Sequence, residues 1–596
     1  MLFNDLAALR EQLAADAAVR ARLASSPRPG RSSLRMLALI AGAARKPGRW
    51  LILALTVLVA TVTVVEVLVV LRLATWNADF FDVLEARSYA SLRSQIWILA
   101  GLLIGMMTLQ GLSLQTKMQL QMKLRSHLTT LVRDRWMSEG HYYRLRTMAG
   151  DHANEDARIA EDIRIVCEMA VEFVVSLLYA LVQLVLFAGV LWLYSGPLTL
   201  SVGTLSVTVP GHMVFVAVAY AIVASALIAV VGHPLVKATD LRQAAEAQYR
   251  SRLVNIVAQA PAIALTGSET GERRRLVRSF DAIRWAWAVQ TASFRNLMFF
   301  SSGLALLTGT LPLLVMAPRY LNGAITLGTL MQVAIAFGQV TMALSWLSAN
   351  YAMIAQWQAS AARVLALGDA IDRLRDGARA ASGLVSRTIG DGPVLAFSDL
   401  TIVGPSGDRL VDDLTTEVRQ GVRVLIEATP QASTALFGAI AGLPTEGAGA
   451  IVLPNNGDIF FVTDKPYLPE ATLIEVIAEP LGPDAFSPEL VCRALADVGL
   501  VHLAAHLVTT SLWGRELGIE DQQRLGFARL LVHQPRWILT HDASSALSQE
   551  TETLLFRKIR EALPLSVLIT MSHRTMAASI FTRRIALATA GRLPGQ

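Results

Sequence analysis

Six runs of mostly apolar residues constrain this chain more than any other feature: about 50–74, 94–114, 171–194, 213–235, 297–317 and 325–346. A helix needs about 20 such residues to cross a hydrocarbon core roughly 30 Å thick. Each run meets or nearly meets that length. In lipid, a helix also satisfies its own backbone polar groups, which an irregular segment does not. Bulk composition agrees, with 53% hydrophobic and 17% charged residues in 596 and a mean hydropathy of +0.46. The apolar residues are not spread evenly: from about Val394 onward the chain reads as an ordinary soluble α/β domain.

Lysine and arginine placement orients the spans, because cytoplasmic loops carry the excess. Arg31, Arg35, Arg45, Lys46 and Arg49 precede the first run. Lys117, Lys123, Arg125, Arg133, Arg135 and Arg144 follow the second; Lys237, Arg242, Arg250, Arg252 and Arg273–Arg275 follow the fourth. Loop 195–212 has neither residue, and 318–324 has only Arg319. Both termini are therefore expected in the cytoplasm and the chain in the cytoplasmic (inner) membrane. The same placement accounts for the net charge of +6 without a single basic face, so nucleic acid is excluded as a partner. Cys167 and Cys492 suggest neither a disulfide nor a metal site.

Residues 1–33 form an N-terminal cytoplasmic segment with no apolar core of the signal type; a short amphipathic helix and a disordered tail both fit it. The membrane domain is expected over 34–377. Its polar segments 115–170 and 236–296 lack dense Gly/Pro punctuation, so spans two to five should run on as helices into the cytoplasm. A linker, ARAASGLVSRTIGDGP (378–393), leads to the soluble domain at 394–596.

Six spans with long extensions followed by one α/β domain describe half of an ABC exporter-type transporter. More specifically, WNADFFDVLEAR (76–87) resembles the W-N-x-x-F-Y-D-A-L-Q segment of the SbmA/BacA-like peptide transporters. HYYRL (141–145) with NEDARIAEDIR (154–164) resembles their YYRL…NPDQRIxEDIR element, and PGHMVFVAVAYAIV (210–223), EAQYR (246–250), IALTGSETGE (263–272) and APRYLNGAITLGTLMQ (317–332) continue in order. The resemblance implies a membrane domain plus an ABC-type nucleotide-binding domain, a second half-transporter chain as partner in a homodimer or heterodimer, ATP and magnesium as cofactors, and peptide-like or vitamin B12-like cargo.

The soluble domain keeps the frame of such an ATPase and departs from its chemistry. VRVLI (422–426) reads as a buried strand and LFGAIAGL (436–443) as the following helix. A phosphate-binding loop between them needs glycines, a Lys and a Ser/Thr for magnesium. EATPQASTA (427–435) has no glycine, Ser433 where the Lys belongs, Thr434 at the magnesium position, and Glu427 adding negative charge. FVTDKPYLP (461–469) places Asp464 at the glutamine that would touch magnesium and water. LGIEDQQRLGFARLL (517–531) resembles LSGGEQQRLAFARLL with Gly518 for Ser and Ile519 and Glu520 for the glycine pair. WILTHDASSALS (537–548) has His541 and Asp542 where adjacent acids would hold magnesium and polarise water, and Ser548 for the closing Asp. Only His573, in ITMSHR (569–574), matches the switch histidine. No catalytic residue, and no metal, is therefore expected, although ATP and magnesium remain implied by the resemblance.

Ionisable groups inside spans mark candidate transport sites. Glu66 lies in span one, as a proton carrier, a partner for Arg72 or a polar contact in the dimer; Glu168 and Glu172 stand one turn apart at the start of span three. Asp79 and Asp82 follow span one, with a structural role equally open. Three functions fit: a transporter subunit driven by the proton gradient or by an ATP-competent partner, a divergent but active ATP-driven transporter, and a non-transporting accessory or sensor protein.

Overall fold

The computed structural model describes residues 35–36, 49–145, 154–202, 205–380, 383–404, 407–455, 459–572 and 580–587. It divides into two compact units, Met1–Leu374 and Arg375–Gln596.

The first unit is built of helices: α1 (Arg49–Glu85), α2 (Tyr89–Met137), α3 (Ile163–Ser195), α4 (His212–Ala258), α5 (Glu269–Leu321), α6 (Leu327–Leu344) and α7 (Trp346–Ala380), with a two-stranded antiparallel hairpin, β1 (Leu198–Val202) and β2 (Leu205–Val209), between α3 and α4. Among the described residues six helical stretches are long and apolar enough to cross a membrane, starting at Trp50, Tyr89, Glu155, His212, Glu269 and Leu327. They coincide with the six apolar runs. Helices α2, α4 and α5 reach 49, 47 and 53 residues, roughly 70–80 Å at 1.5 Å per residue. That is over twice the hydrocarbon thickness, so the long polar extensions are real. Small residues allow close approach inside the bundle: Ala217 of α4 lies in one buried cluster with Phe187, Met213, Met316 and Phe337.

Asp82 and Glu85, in the last turn of α1, hold the start of α6. Asp82 Oδ1 accepts from Gly328 N at 2.8 Å and Glu85 Oε2 from Leu327 N at 3.0 Å, satisfying donors that a helix start leaves orphaned. Only glycine fits at 328, where an added Cβ would lie 2.2 Å from Ala78 O.

The second unit is α/β. Its elements are β3 (Ser386–Ile389), β4 (Val394–Val403), β5 (Arg409–Arg419), β6 (Arg423–Glu427), α8 (Pro430–Ala441), β7 (Gly447–Leu453), β8 (Ile459–Thr463), α9 (Leu473–Ala478), α10 (Pro488–Asp497), α11 (Ile519–His533), β9 (Trp537–His541), α12 (Gln549–Ala562), β10 (Val567–Ser572) and β11 (Arg583–Ala586). A five-stranded sheet in the order β11-β6-β10-β9-β8 is parallel throughout. Its inner strands are apolar on both faces, as a sheet covered on both sides requires: β10 is buried at every position. A second sheet, β3-β7-β4-β5, is mixed. One core joins this sheet to α8 through Phe397, Leu436, Ile440 and Trp537; another gathers α9, α10, α11 and α12 around Leu525, Phe527 and Phe556.

Two boundaries differ from expectation. The segment 378–393, read as a linker, holds the end of α7 and strand β3, paired with β7; its Gly and Ser content hid a short edge strand. Helix α8 begins at Pro430 rather than at 436, because Thr429 caps it and Pro430 supplies a preset first turn.

Candidate functional site

At the C-terminal ends of β6 and β9, where a parallel sheet presents its ligand site, the connection from β6 to α8 is only Ala428 and Thr429. A loop that wraps a phosphate offers free backbone N–H groups at the helix start. Here they are used or missing. Pro430 has none, Ala432 N donates to Thr429 Oγ1 at 3.3 Å, and Ser433 N donates to Thr429 O at 2.9 Å.

The side chains close the same place. Ser433 Oγ and Thr434 Oγ1 donate to Pro430 O at 3.0 and 2.8 Å. His541 Nε2, at the end of β9, lies 3.1 Å from Ser433 Oγ and 3.3 Å from Thr434 Oγ1. Nε2 therefore shares hydrogen bonds with both hydroxyls, each of which also reaches the Pro430 carbonyl. The imidazole ring sits 5.4 Å from that of Phe437, and Asp542 Oδ2 lies 3.8 Å from Nε2. His541 thus fills, and hydrogen-bonds within, the corner where a carboxylate would support magnesium. No lysine, glycine loop or acid pair is present. The residues do not fit magnesium-ATP.

The other motif positions are occupied structurally. Gly518 caps α11, and Glu520 pairs with Arg524 at 2.5 Å. Asp464 is exposed and serves through its backbone: its carbonyl accepts from Gln523 Nε2 at 2.9 Å. The same amide donates to Ser545 Oγ at 2.9 Å and accepts from Ala546 N at 2.9 Å. Gln523 is fully buried and ties three segments together, a role its place in a well-kept helix did not reveal. Ser548 caps α12 through Thr551 N. Glu427 pairs with Arg584 at 3.4 Å. His573 lies outside the described residues.

A groove of about 730 Å³ in this domain is lined by Tyr467, Glu479, Arg529 and His533. His533 Nε2 donates to Ile477 O at 3.0 Å between the rings of Phe460 and Phe486. Burial pushes the His533 pKa below its ordinary value, and Arg529 adds to this, against the pull of the Ile477 carbonyl. A histidine with a depressed folded pKa contributes full stability above its unfolded value, near 6.5, and loses it as pH falls through the folded value. Unfolding of the full chain at pH 5.5 and 7.5 should therefore show a larger acid loss for wild type than for His533→Phe; parallel losses would remove His533 as the source.

Of the membrane candidates, Glu66 and Glu172 line one cavity with Ser113, Lys117, Tyr179 and Trp346. Arg72 pairs with Asp79 at 3.4 Å rather than with Glu66. Glu168 pairs along its own helix with Arg164 at 2.9 Å. Asp82 caps α6. Lys117, read from sequence only as an orienting charge, is drawn into the cavity by Glu172 at 3.3 Å.

Residues 38–321 match the family model described as ABC transporter transmembrane region 2. Over those residues the chain is similar to the transmembrane region of ABC transporters, and its six candidate spans followed by an α/β domain match the architecture of an ABC transmembrane domain joined to a nucleotide-binding-type domain. Its relatives include the Inner membrane ABC transporter ATP-binding protein YddA of Escherichia coli (strain K12), 27% identical over 84% of this chain and 87% of that protein. An Uncharacterized ABC transporter ATP-binding protein of Haemophilus influenzae is 26% identical over 77% and 76%. ABC transporter D family member 2, chloroplastic, of Arabidopsis thaliana is 24% identical over 86% and 80%.

Proposed function

We propose that the chain is an inner-membrane transporter subunit that moves peptide-like or other hydrophilic cargo and does not itself hydrolyse ATP. The observation that carries this reading is the His541 imidazole bonded to Ser433 and Thr434, where magnesium and phosphate would sit. The SbmA/BacA-like motifs across the membrane domain support the cargo class, and the lysine and arginine placement supports cytoplasmic termini. The domain limits 34–377 and 394–596 belong to the same proposal. Energy then comes from the proton gradient or from a partner chain with intact motifs. In such dimers each nucleotide lies between one chain's phosphate loop and the other's signature, so in a homodimer both sites are void.

Reconstituted homodimer should transport a hydrophilic peptide under an imposed pH gradient without ATP. No movement until a second, motif-intact chain is added would sink the proton-driven version. The names of the relatives, which are ATP-binding proteins, favour that second version: ATP would then be bound and hydrolysed with the partner's loop and acids.

A further inference from the structure

Within the membrane domain a cavity of about 290 Å³ is bounded by α1, α2, α3, α6 and α7. Its polar lining is unbalanced. Lys117 Nζ is engaged by Glu172 Oε2 at 3.3 Å. Glu66 is only 9% exposed; among the described residues no cation comes within ion-pair distance of it, so it has only Ser113 as a hydrogen-bonding neighbour and the longer-range attraction of Lys117, which already pairs with Glu172. The chamber therefore holds one more carboxylate than it holds cations. A carboxylate buried in a bundle is costly until paired, and such groups face cavities and mark substrate paths. What the chamber lacks is one positive charge.

Its other walls say what kind. Tyr179 and Trp346 present aromatic rings, which attract organic cations through their faces. Calcium or magnesium would need six or more oxygen ligands and zinc about four N, S or O ligands, and no group of three or more His, Cys, Asp or Glu gathers among the described residues. The volume is that of roughly ten waters at ~30 Å³ each, far more than a bare ion fills. Lys117 already demonstrates the preferred guest, since a primary ammonium sits against Glu172.

We propose that this chamber is a subsite for a primary ammonium group of the cargo, with Glu66 as its counter-ion and Lys117 as the resident ammonium that holds Glu172. The inference rests on the transport reading above and narrows its cargo to molecules carrying a free ammonium. Trp346, fixed by its Nε1 donating to Ser176 Oγ at 3.1 Å, forms the rigid aromatic wall.

The test is calorimetric binding to the full chain in lipid nanodiscs at pH 6.5, where an α-amino group with an ordinary pKa of 7.7–8.0 is protonated. Alanyl-alaninamide should bind at least about tenfold tighter than its N-acetyl derivative, about 1.4 kcal/mol by the affinity relation. N-acetyl-lysinamide separates a side-chain ammonium from a terminal one as the source. Glu66→Gln should erase the preference, and Lys117→Met should tighten amine binding by freeing Glu172. Equal binding of free and acetylated probes, no binding of either, or an unchanged preference in a folded Glu66→Gln chain overturns the proposal. If Glu66→Gln does not fold, an unaltered affinity in Lys117→Met overturns it as well. Binding is read without nucleotide or gradient. A chain that hydrolyses ATP yet binds the free amine would overturn the function reading and keep the subsite.

Discussion

Reconstituted in lipid and given millimolar ATP with magnesium, the chain should bind no nucleotide and turn none over. Ordinary enzymes turn over at roughly 10 per second. Removing one preorganised group that stabilises developing charge costs about 100- to 1,000-fold, and such losses are not additive when the groups act as a unit. This chain lacks the lysine, the first acid and the glutamate together, so turnover should lie at least about 1,000-fold below that of an intact domain. His541→Asp alone should not rescue it, because only Ala428 and Thr429 join β6 to α8 and the N–H groups of Ala432 and Ser433 are spent on Thr429. That substitution should instead lower stability: Ser433 Oγ and Thr434 Oγ1 would lose their shared imidazole partner, and a new carboxylate would stand next to Asp542. Magnesium-dependent turnover in wild type, abolished by Asp542→Asn, would show that the corner opens and that the domain is a working if divergent ATPase.

What the sequence made legible follows from which physical signal is local. Span number and place were readable because crossing a membrane demands long apolar runs. The end of α1 was not, since WNADFFDVLE is polar and amphipathic yet continues the helix to Glu85. In the soluble domain, strand β6 was predicted within a residue by its apolar run. The start of α8 was misplaced because alignment to a phosphate loop overrode the local Thr-Pro start signal. The loss of phosphate-handling groups was visible as residue types. Their replacement by a closed hydrogen-bond set was not, because His541 and Ser433 stand 108 positions apart and meet only through the order of the parallel strands. Lys117 and Glu172 are 55 apart on different helices, so no spacing rule could pair them. Asp79 and Asp82 looked alike in the sequence, and only the packing separates a helix cap from a surface ion pair.

The largest expected effect on stability lies at the base of the membrane domain. Asp162 closes a π-helical turn, Arg158–Asp162, leading into α3, and its side chain is 8% exposed. Arg363 of α7 grips it with both arms of the guanidinium: Nε to Oδ2 at 2.8 Å and Nη2 to Oδ1 at 2.5 Å. Arg158, itself buried, donates to Arg363 O at 3.3 Å, and earlier on α7 Trp357 Nε1 donates to Val166 O at 3.1 Å. A π turn widens the helix by one residue and is found where a side chain must be re-aimed; here it turns the carboxylate toward α7. Breaking one side of a buried pair leaves the other charge without compensation and costs about 3–5 kcal/mol. Arg363 is half-exposed, so Asp162→Asn should cost about 3 kcal/mol in unfolding of the full chain in detergent, near the low end of that range. Replacing both partners with apolar residues, Asp162→Leu with Arg363→Met, should recover more than half of the loss, because no charge is then stranded. Arg363→Lys should behave like the broken pair, since a lysine cannot make the two-armed contact. An Asp162→Asn chain that unfolds within about 0.5 kcal/mol of wild type, the ordinary range for surface substitutions, would mean that the join between α3 and α7 is held by the Trp357 and Leu367 packing and not by this pair.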